Sequence, residues 1–464
     1  MNPAVSQRLR HPRANMGEGP QLAVIDIGHP QKVAVVQADT AFWALVDRKA
    51  VSECLAGDFV AEITARLPEM AAEMENLRFG LKPSAVYFNP TDRCNLNCSY
   101  CYLPEDMRRN GEQMTPARLE KALEILAGFF ETIHGPDLKP QLIFHGSEPM
   151  TAREAVFAGI ESFGHVFDFG LQTNATLLDD RDIAFLTGNQ VAVGISLDGP
   201  GPAEADATRH NWNNKGVFDK VVQVMDRLAG YDRFNVITTV TTANVELLPE
   251  MVDFYHDHGV RTVMFNPVRC TSKGARKLKP DDNLLAHYFT AALERSWQLY
   301  QKTGRKLVVS NFANILASIL GPTGRRLMCD ISPCGGGRCF FAVAANGDVF
   351  PCSEFIGMKE FRGGNLFGDD LQAILAGPVF KAVTTRVVEK IDPCRRCAIR
   401  HFCGAPCPAE VSSMSGCLDS PAPFCTFYQH QACYALRLIA EERHHAFLWD
   451  DWEDNVESSL DMSR

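Results

Sequence analysis

Between residues 85 and 303 the chain alternates two kinds of segment. Short runs rich in β-branched and aromatic residues give way to longer runs whose apolar positions recur at helical spacing. The pattern predicts strands at Val86–Asn89, Leu142–His145, Asp168–Thr173, Val191–Leu197, Asn235–Thr241 and Thr262–Val268. Between and after them it predicts helices near Thr115–His134, Ala152–Phe163, Asp180–Leu186, Lys215–Ala229, Leu247–His258 and Asn283–Lys302. Cap signals mark some helix starts: Thr115-Pro116 puts proline at the first helical position, and Thr151 with Glu154 reads as a capping box. Six β/α units in series imply an α/β fold, a parallel sheet covered by helices and curled into a full or partial barrel. Chemistry in such folds gathers at the carboxyl ends of the strands, so motifs there carry the most weight.

The flanks read differently. Residues 1–20 hold basic residues with no apolar core behind them, which excludes a secretory signal. Residues 21–82 look like a small α+β element. It has β-like runs at Gln21–Ile27 and Lys32–Val36, then helical stretches near Ala41–Asp47, Phe59–Arg66 and Glu69–Asn76. At the other end, residues 436–464 carry eight acids against two arginines from Glu441 on, which reads as a solvated acidic tail. His444-His445 within it is an exposed helix end before it is a metal site. An apolar share of 46% with 22% charged residues places the chain among globular proteins. No run approaches eighteen apolar residues, so no membrane helix is expected. A net charge of −10 without a basic stripe argues against nucleic acid as the main partner.

The sixteen cysteines change the picture more than the charge does. Without a secretory signal the expected location is the cytoplasm, where clustered cysteines are metal or redox ligands before they are disulfides. Cys94, Cys98 and Cys101 form C-x3-C-x2-C just after the first expected strand. Three thiolates on one loop suit an iron–sulfur cluster or zinc and leave a coordination position open, which is catalytic logic. Eleven more cysteines lie between Cys329 and Cys433. There Cys394, Cys397, Cys403 and Cys407 give C-x2-C-x5-C-x3-C, and Gly347 stands five residues before Cys352. Spacing alone leaves both iron–sulfur clusters and zinc open for this region.

The triplet, with Tyr100 before its last cysteine, resembles the signature of the radical SAM superfamily. The resemblance implies a [4Fe–4S] cluster whose open iron binds S-adenosylmethionine, cleaved to methionine and a 5′-deoxyadenosyl radical that abstracts hydrogen. Other strand ends are similar to family segments that line the cofactor. They are His145-Gly146-Ser147-Glu148-Pro149, then Gln172-Thr173-Asn174, then Ser196-Leu197-Asp198-Gly199-Pro200. By that likeness Tyr100, Gly146, Ser147, Glu148, Asn174, Ser196, Asp198 and Arg209 are cofactor-binding. Arg209 would meet the cofactor carboxylate. The His-Asp pair usual before that arginine is missing, with Glu204 and Asp206 nearby instead.

The C-terminal cysteines resemble the SPASM extension of peptide-modifying maturases, and Leu327–Phe341 is similar to the CbpB-like subgroup. The likeness assigns Cys329, Cys334, Cys352 and Cys407 to one auxiliary [4Fe–4S] cluster and Cys394, Cys397, Cys403 and Cys425 to another, three clusters in all. Cys54, Cys270, Cys339, Cys417 and Cys433 are left without a role, with Cys339 a rival to Cys334. The implied organisation is a (β/α)6 core over 83–310 and a SPASM domain over 311–435, with residues 21–82 either a winged-helix-like holder for a leader peptide or a plain packing extension. The implied function is radical modification of a ribosomally made peptide or protein, forming a thioether or carbon–carbon crosslink. Its electrons would come from a donor such as flavodoxin or ferredoxin. Formylglycine formation in sulfatases is a second reading. The residue after Cys352 is Ser353, with Glu354 next, where sulfatase maturases carry aspartate. A non-enzymatic iron–sulfur or zinc scaffold is a third.

Overall fold

The computed structural model describes residues 22–136 and 138–453. A first sheet is antiparallel, in the order β1 (Leu22–Ile25), β2 (Lys32–Gln37), β3 (Phe42–Asp47). The second has ten strands. Its parallel part runs through β4 (Ala85–Phe88), β5 (Gln141–Phe144), β6 (Asp168–Thr173), β7 (Ala192–Ser196), β8 (Phe234–Val240), β9 (Thr262–Pro267) and the short β10 (Val308–Val309). Each pairs with the next in sequence, as βαβ crossovers dictate. The barrel is therefore partial: β10 ends one side. On the other side β11 (Phe340–Val343) lies parallel to β4 and is followed by the antiparallel strands β12 (Asp348–Phe350) and β13 (Gly364–Asn365).

The reasons for these elements are visible in their burial. Both faces of β5 and β11 are buried, as expected of strands covered on both sides. The helix Pro116–His134 buries Leu119, Ala122, Leu123, Leu126, Phe129 and Phe130, one stripe at helical spacing. Its start is capped as the sequence predicts: Thr115 accepts from the Arg118 amide, and Pro116 follows. The box expected at Thr151 does not form. A 3-10 turn occupies Pro149–Ala152, the α-helix begins at Arg153, and the Thr151 hydroxyl donates instead to the Glu148 carbonyl at 2.9 Å. The reciprocal box is at Asp179 and Asp182.

Three further expectations are corrected. Ala41–Asp47 is not helical: Phe42–Asp47 is β3, paired residue for residue with β2, because a partner strand overrides a short apolar run's weak preference. The two helices at Phe59–Arg66 and Glu69–Asn76 are one helix, Asp58–Glu75, with Pro68 inside it. The acidic tail is not a solvated face from 436 onward. The proposed boundary at 435/436 cuts the helix Cys425–Ala440, and beyond it Phe447, Leu448 and Trp449 are buried. Charges there are neutralised by partners on the fold: Arg443 by Glu294, Asp450 by Lys306 and Asp451 by Arg326. Residues 454–464, like 1–21, lie outside the described residues. No helix among the described residues is long and apolar enough to cross a membrane.

The first sheet docks on the C-terminal part of the chain: the Trp43 indole donates to the Ile319 carbonyl at 2.6 Å, and Asp39 pairs with Arg400. Trp449 closes the other flank, 8% exposed and stacked under the Arg326 guanidinium at 4.2 Å. Trp449→Ala should cost about 3–5 kcal/mol, as large-to-small core changes do. The check is the urea midpoint of the anaerobically prepared protein, and an unchanged midpoint would show that the segment does not hold the fold.

Candidate active site

A cavity of about 400 Å³ opens at the carboxyl ends of the strands. Cys94, Cys98 and Cys101 stand on its wall, carried by the loop that leaves β4. Hydrogen bonds fix this loop: the Leu96 amide meets the Cys94 sulfur at 3.4 Å, and the Trp212 indole donates to the Cys94 carbonyl at 2.8 Å. Burial raises all three thiols, Cys101 to about 11. Ligand thiolates must be deprotonated, so a group that binds here has to supply positive charge and displace protons.

The segment after β5 approaches the triplet through glycine. Gly146 has φ +103°, and a Cβ there would fall 2.2 Å from the Asn89 amide carbon. Backbone can pass this point only without a side chain. Ser147 donates to the Asp92 carbonyl at 2.5 Å. Gly146, Ser147, Asn174 and Ser196 all line the cavity, and Asn174 reaches the Asn95 side chain at 2.9 Å.

Glu148 and Asp198 do not stand on that wall. Both are fully buried behind it, and their carboxylates are satisfied by protein donors. Glu148 accepts from the Thr173 hydroxyl and the Asn174 amide at 2.7 Å each, and from the Met150 amide at 3.0 Å, tying the end of β5 to the end of β6. Asp198 accepts from the Thr239 amide at 2.8 Å and from the Tyr100 hydroxyl at 2.5 Å. Arg209 donates to the same Tyr100 oxygen at 2.5 Å and lies 3.8 Å from Asp198. Glu148 and Asp198, expected among the cofactor-binding residues, are thus engaged by protein donors behind the cavity wall. Arg209 and Tyr100 remain on the cavity wall.

Four further cysteines face the same cavity: Cys329, Cys334, Cys352 and Cys407. The Cys329 thiol is hydrogen-bonded to Cys334, which holds Cys329 up and Cys334 down. Burial raises Cys352, and the neighbouring Cys407 and Cys334 sulfurs push it further. Cys339, the rival ligand, is fully buried in the apolar core and off the cavity, whereas Cys334 lines it. A separate set lies outside the cavity. Burial raises Cys403, and Cys397, Cys425 and Cys394 around it add to the rise. The cysteines that line the cavity and those that surround Cys403 fall into the two sets that the family resemblance implied, with Cys407 among the first.

A model of the radical SAM superfamily matches residues 88–257, and one of the SPASM iron–sulfur cluster-binding domain matches residues 334–398. The chain belongs to the radical SAM superfamily. An uncharacterized protein of Archaeoglobus fulgidus is 40% identical over 402 residues, 87% of this chain and 91% of its own length. The cysteine-type anaerobic sulfatase-maturating enzyme of Clostridium perfringens is 24% identical over 62% of this chain and 78% of that one. Among solved structures, anSMEcpe with bound AdoMet superposes with a TM-score of 0.68 at 19% identity, covering 81% of this chain and 98% of its own. Streptococcus suis SuiB bound to precursor peptide SuiA gives 0.55 at 15%, covering 85% and 96%. Radical SAM and SPASM membership implies S-adenosylmethionine and iron–sulfur clusters as cofactors.

The residues present fit those groups. The cavity carries buried polar atoms with no hydrogen-bond partner in the protein: Tyr102 Oη, His145 Nδ1, Glu354 Oε2 and Gln431 Oε1. Buried polar groups left alone are costly, so these fit a site that receives a bound group. Sequence reasoning assigned none of the four a role. His145 stood at the head of the Gly146 segment and Glu354 two residues past Cys352, so both were within reach of it.

His145 gives a test. Burial holds its imidazole at about 4 against an ordinary 6.5. The unfolded chain therefore takes up a proton as pH falls through 6.5, whereas the native ring waits until about 4. Stability should fall across that window by up to roughly 3 kcal/mol. His145→Asn should remove this part of the slope in urea unfolding compared at pH 7 and pH 5. Identical slopes in the two proteins would show that the ring is not held neutral.

Proposed function

We propose that this radical SAM protein is a maturase that modifies a peptide or protein, forming a thioether or carbon–carbon crosslink. The observation that supports the reading is the shared cavity, with a three-cysteine set that leaves a ligand position open and a four-cysteine set on one wall. A substrate between them would meet hydrogen abstraction on one side and an electron acceptor on the other. When bound, S-adenosylmethionine and its cluster supply the hydrogen-abstracting radical. The chain's own residues do the rest. Gly146, Ser147, Asn174 and Ser196 form the wall against which the cofactor lies. Arg209 offers a cation to its carboxylate. Glu148 and Asp198 keep that wall rigid by fixing the strand ends.

Under this reading Cys94, Cys98 and Cys101 hold the SAM-binding cluster. Cys329, Cys334, Cys352 and Cys407 hold one auxiliary cluster, and Cys394, Cys397, Cys403 and Cys425 another. Electrons enter from a donor such as flavodoxin or ferredoxin. The sheet β1–β3 would hold a leader segment; its outer strands β1 and β3 each have an edge unpaired within that sheet.

One observation favours formylglycine formation instead. Glu354 is a buried carboxylate on the cavity wall with one free oxygen, two residues past Cys352, where it could take a proton from a substrate thiol or alcohol. The products separate the two readings. A crosslinked peptide is lighter by a pair of hydrogens, keeps its sulfur and carries no aldehyde, whereas formylglycine carries an aldehyde that a hydrazide captures and, when made from cysteine, has lost the sulfur.

The reconstituted protein should bind about twelve irons, and the variant with Cys94, Cys98 and Cys101 changed to Ala about eight. That variant should release no 5′-deoxyadenosine from S-adenosylmethionine under reducing conditions. Undiminished release would remove the triplet from the chemistry, and zinc in place of iron would leave a scaffold.

A further inference from the structure

Eight arginines are buried in this fold: Arg78, Arg108, Arg209, Arg325, Arg326, Arg338, Arg386 and Arg400. Moving a guanidinium out of water is costly unless an anion comes with it. Five of the eight bring one. Arg78 pairs with Glu389, Arg209 with Asp198, Arg325 with Asp330, Arg326 with Asp451 and Arg400 with Asp39. Arg108, Arg338 and Arg386 have no carboxylate partner among the described residues, and their hydrogen bonds go to neutral oxygens.

Where those three lie is not random. Arg108 donates to the Leu103 carbonyl at 3.2 Å, the Leu96 carbonyl at 3.4 Å and the Asn97 side chain at 2.9 Å. All three acceptors belong to the loop that carries Cys94, Cys98 and Cys101, and its charge bears on Cys98 and Cys101. Arg338 donates to the Pro333 carbonyl at 3.1 Å and the Leu77 carbonyl at 2.9 Å, and bears on Cys334. Arg386 donates to the carbonyls of Leu418, Ala405 and Ser420 at 2.5, 2.9 and 2.9 Å. Its acceptor Ala405 lies on the chain between Cys403 of one set and Cys407 of the other, which places the guanidinium where the two sets meet.

We infer that Arg108, Arg338 and Arg386 are the built-in counter-charges of the iron–sulfur clusters: Arg108 for the SAM-binding cluster, Arg338 for the auxiliary cluster in the cavity, and Arg386 for both auxiliary clusters at once. The inference rests on the cofactor reading above and adds residues to it. A cubane held by cysteine thiolates is a buried anion, and beside these three guanidiniums it takes the place that a carboxylate takes beside the other five arginines. One-electron reduction by an external donor adds a further negative charge to the cluster. A fixed cation nearby stabilises the reduced state more than the oxidised one, so it raises the reduction potential. Arg386 faces both auxiliary sets, so its one charge shifts both potentials in the same direction. These are positioning and charge-setting residues; the inference gives them no contact with substrate.

The test is a dithionite titration of reconstituted full-length protein, followed by electron paramagnetic resonance, with Gln and Lys variants at each position. The SAM-binding cluster is identified by the signal that changes when S-adenosylmethionine is added. Arg108→Gln should lower the potential of that signal alone. Arg338→Gln should lower one auxiliary signal, and Arg386→Gln should lower both. Each Lys variant should return the potential toward the native value. A Gln variant that loses iron, with iron regained in the Lys variant, also supports the assignment. Equal potentials in Gln and Lys variants, equal iron loss in both, or potentials unchanged from the native protein would overturn it. If the native protein gave no signal responsive to S-adenosylmethionine, the cofactor reading itself would fail, which is a different result.

Discussion

The pairing of β11 with β4 is the contact on which the rest of this molecule depends. Phe340–Val343 lies parallel to Ala85–Phe88, residue for residue, on the side of β4 away from β5. It makes the SPASM region a continuation of the barrel sheet instead of a separate body tethered behind it. Cys334 precedes β11 and Cys352 follows β12, so the pairing carries both toward the loop that leaves β4 with Cys94, Cys98 and Cys101. Both faces of β11 are buried, and Phe341 stacks on Phe130 of the helix Pro116–His134. The apolar packing that fixes the strand therefore also sets the relation between two groups of thiols.

Around that edge, charge is arranged in layers. The cavity surface holds thiols, neutral polar groups and the guanidiniums of Arg108, Arg209 and Arg269. The carboxylates of Glu148 and Asp198 sit one layer back and are hydrogen-bonded. Such groups stiffen the strand ends without competing for ligands. Away from the cavity, buried arginines either meet carboxylates or border the cysteine sets. The thiols are raised by burial, so the site is built to receive charge with its cofactors.

Much of this was legible in the sequence because strand periodicity and cysteine spacing are local. The six core strands from Ala85 to Pro267 fall within a residue of where the alternating pattern puts them. The triplet and both four-cysteine groupings follow from spacing joined to family likeness. What stayed hidden depends on distant partners. The strand Phe42–Asp47 needs β2 to be a strand. The tail looks solvated throughout until Phe447, Leu448 and Trp449 pack on the fold and Asp451 meets Arg326, more than a hundred residues earlier. The insertion of β11 beside β4 pairs segments about 255 residues apart, and nothing near either strand announces it. Glu148 and Asp198 were found as important positions, but only the fold shows that they hold the wall from behind.

The central claim is that one cavity joins a SAM-binding cluster to an auxiliary cluster across the β4–β11 junction. Anomalous diffraction at the iron edge, on anaerobic crystals of the reconstituted protein with S-adenosylmethionine, tests it most directly. The account predicts iron peaks at Cys94, Cys98 and Cys101 and at Cys329, Cys334, Cys352 and Cys407, facing each other across the cavity. It predicts a third peak outside, at Cys394, Cys397, Cys403 and Cys425. Iron absent from the second set, or bound there through Cys339, would contradict it.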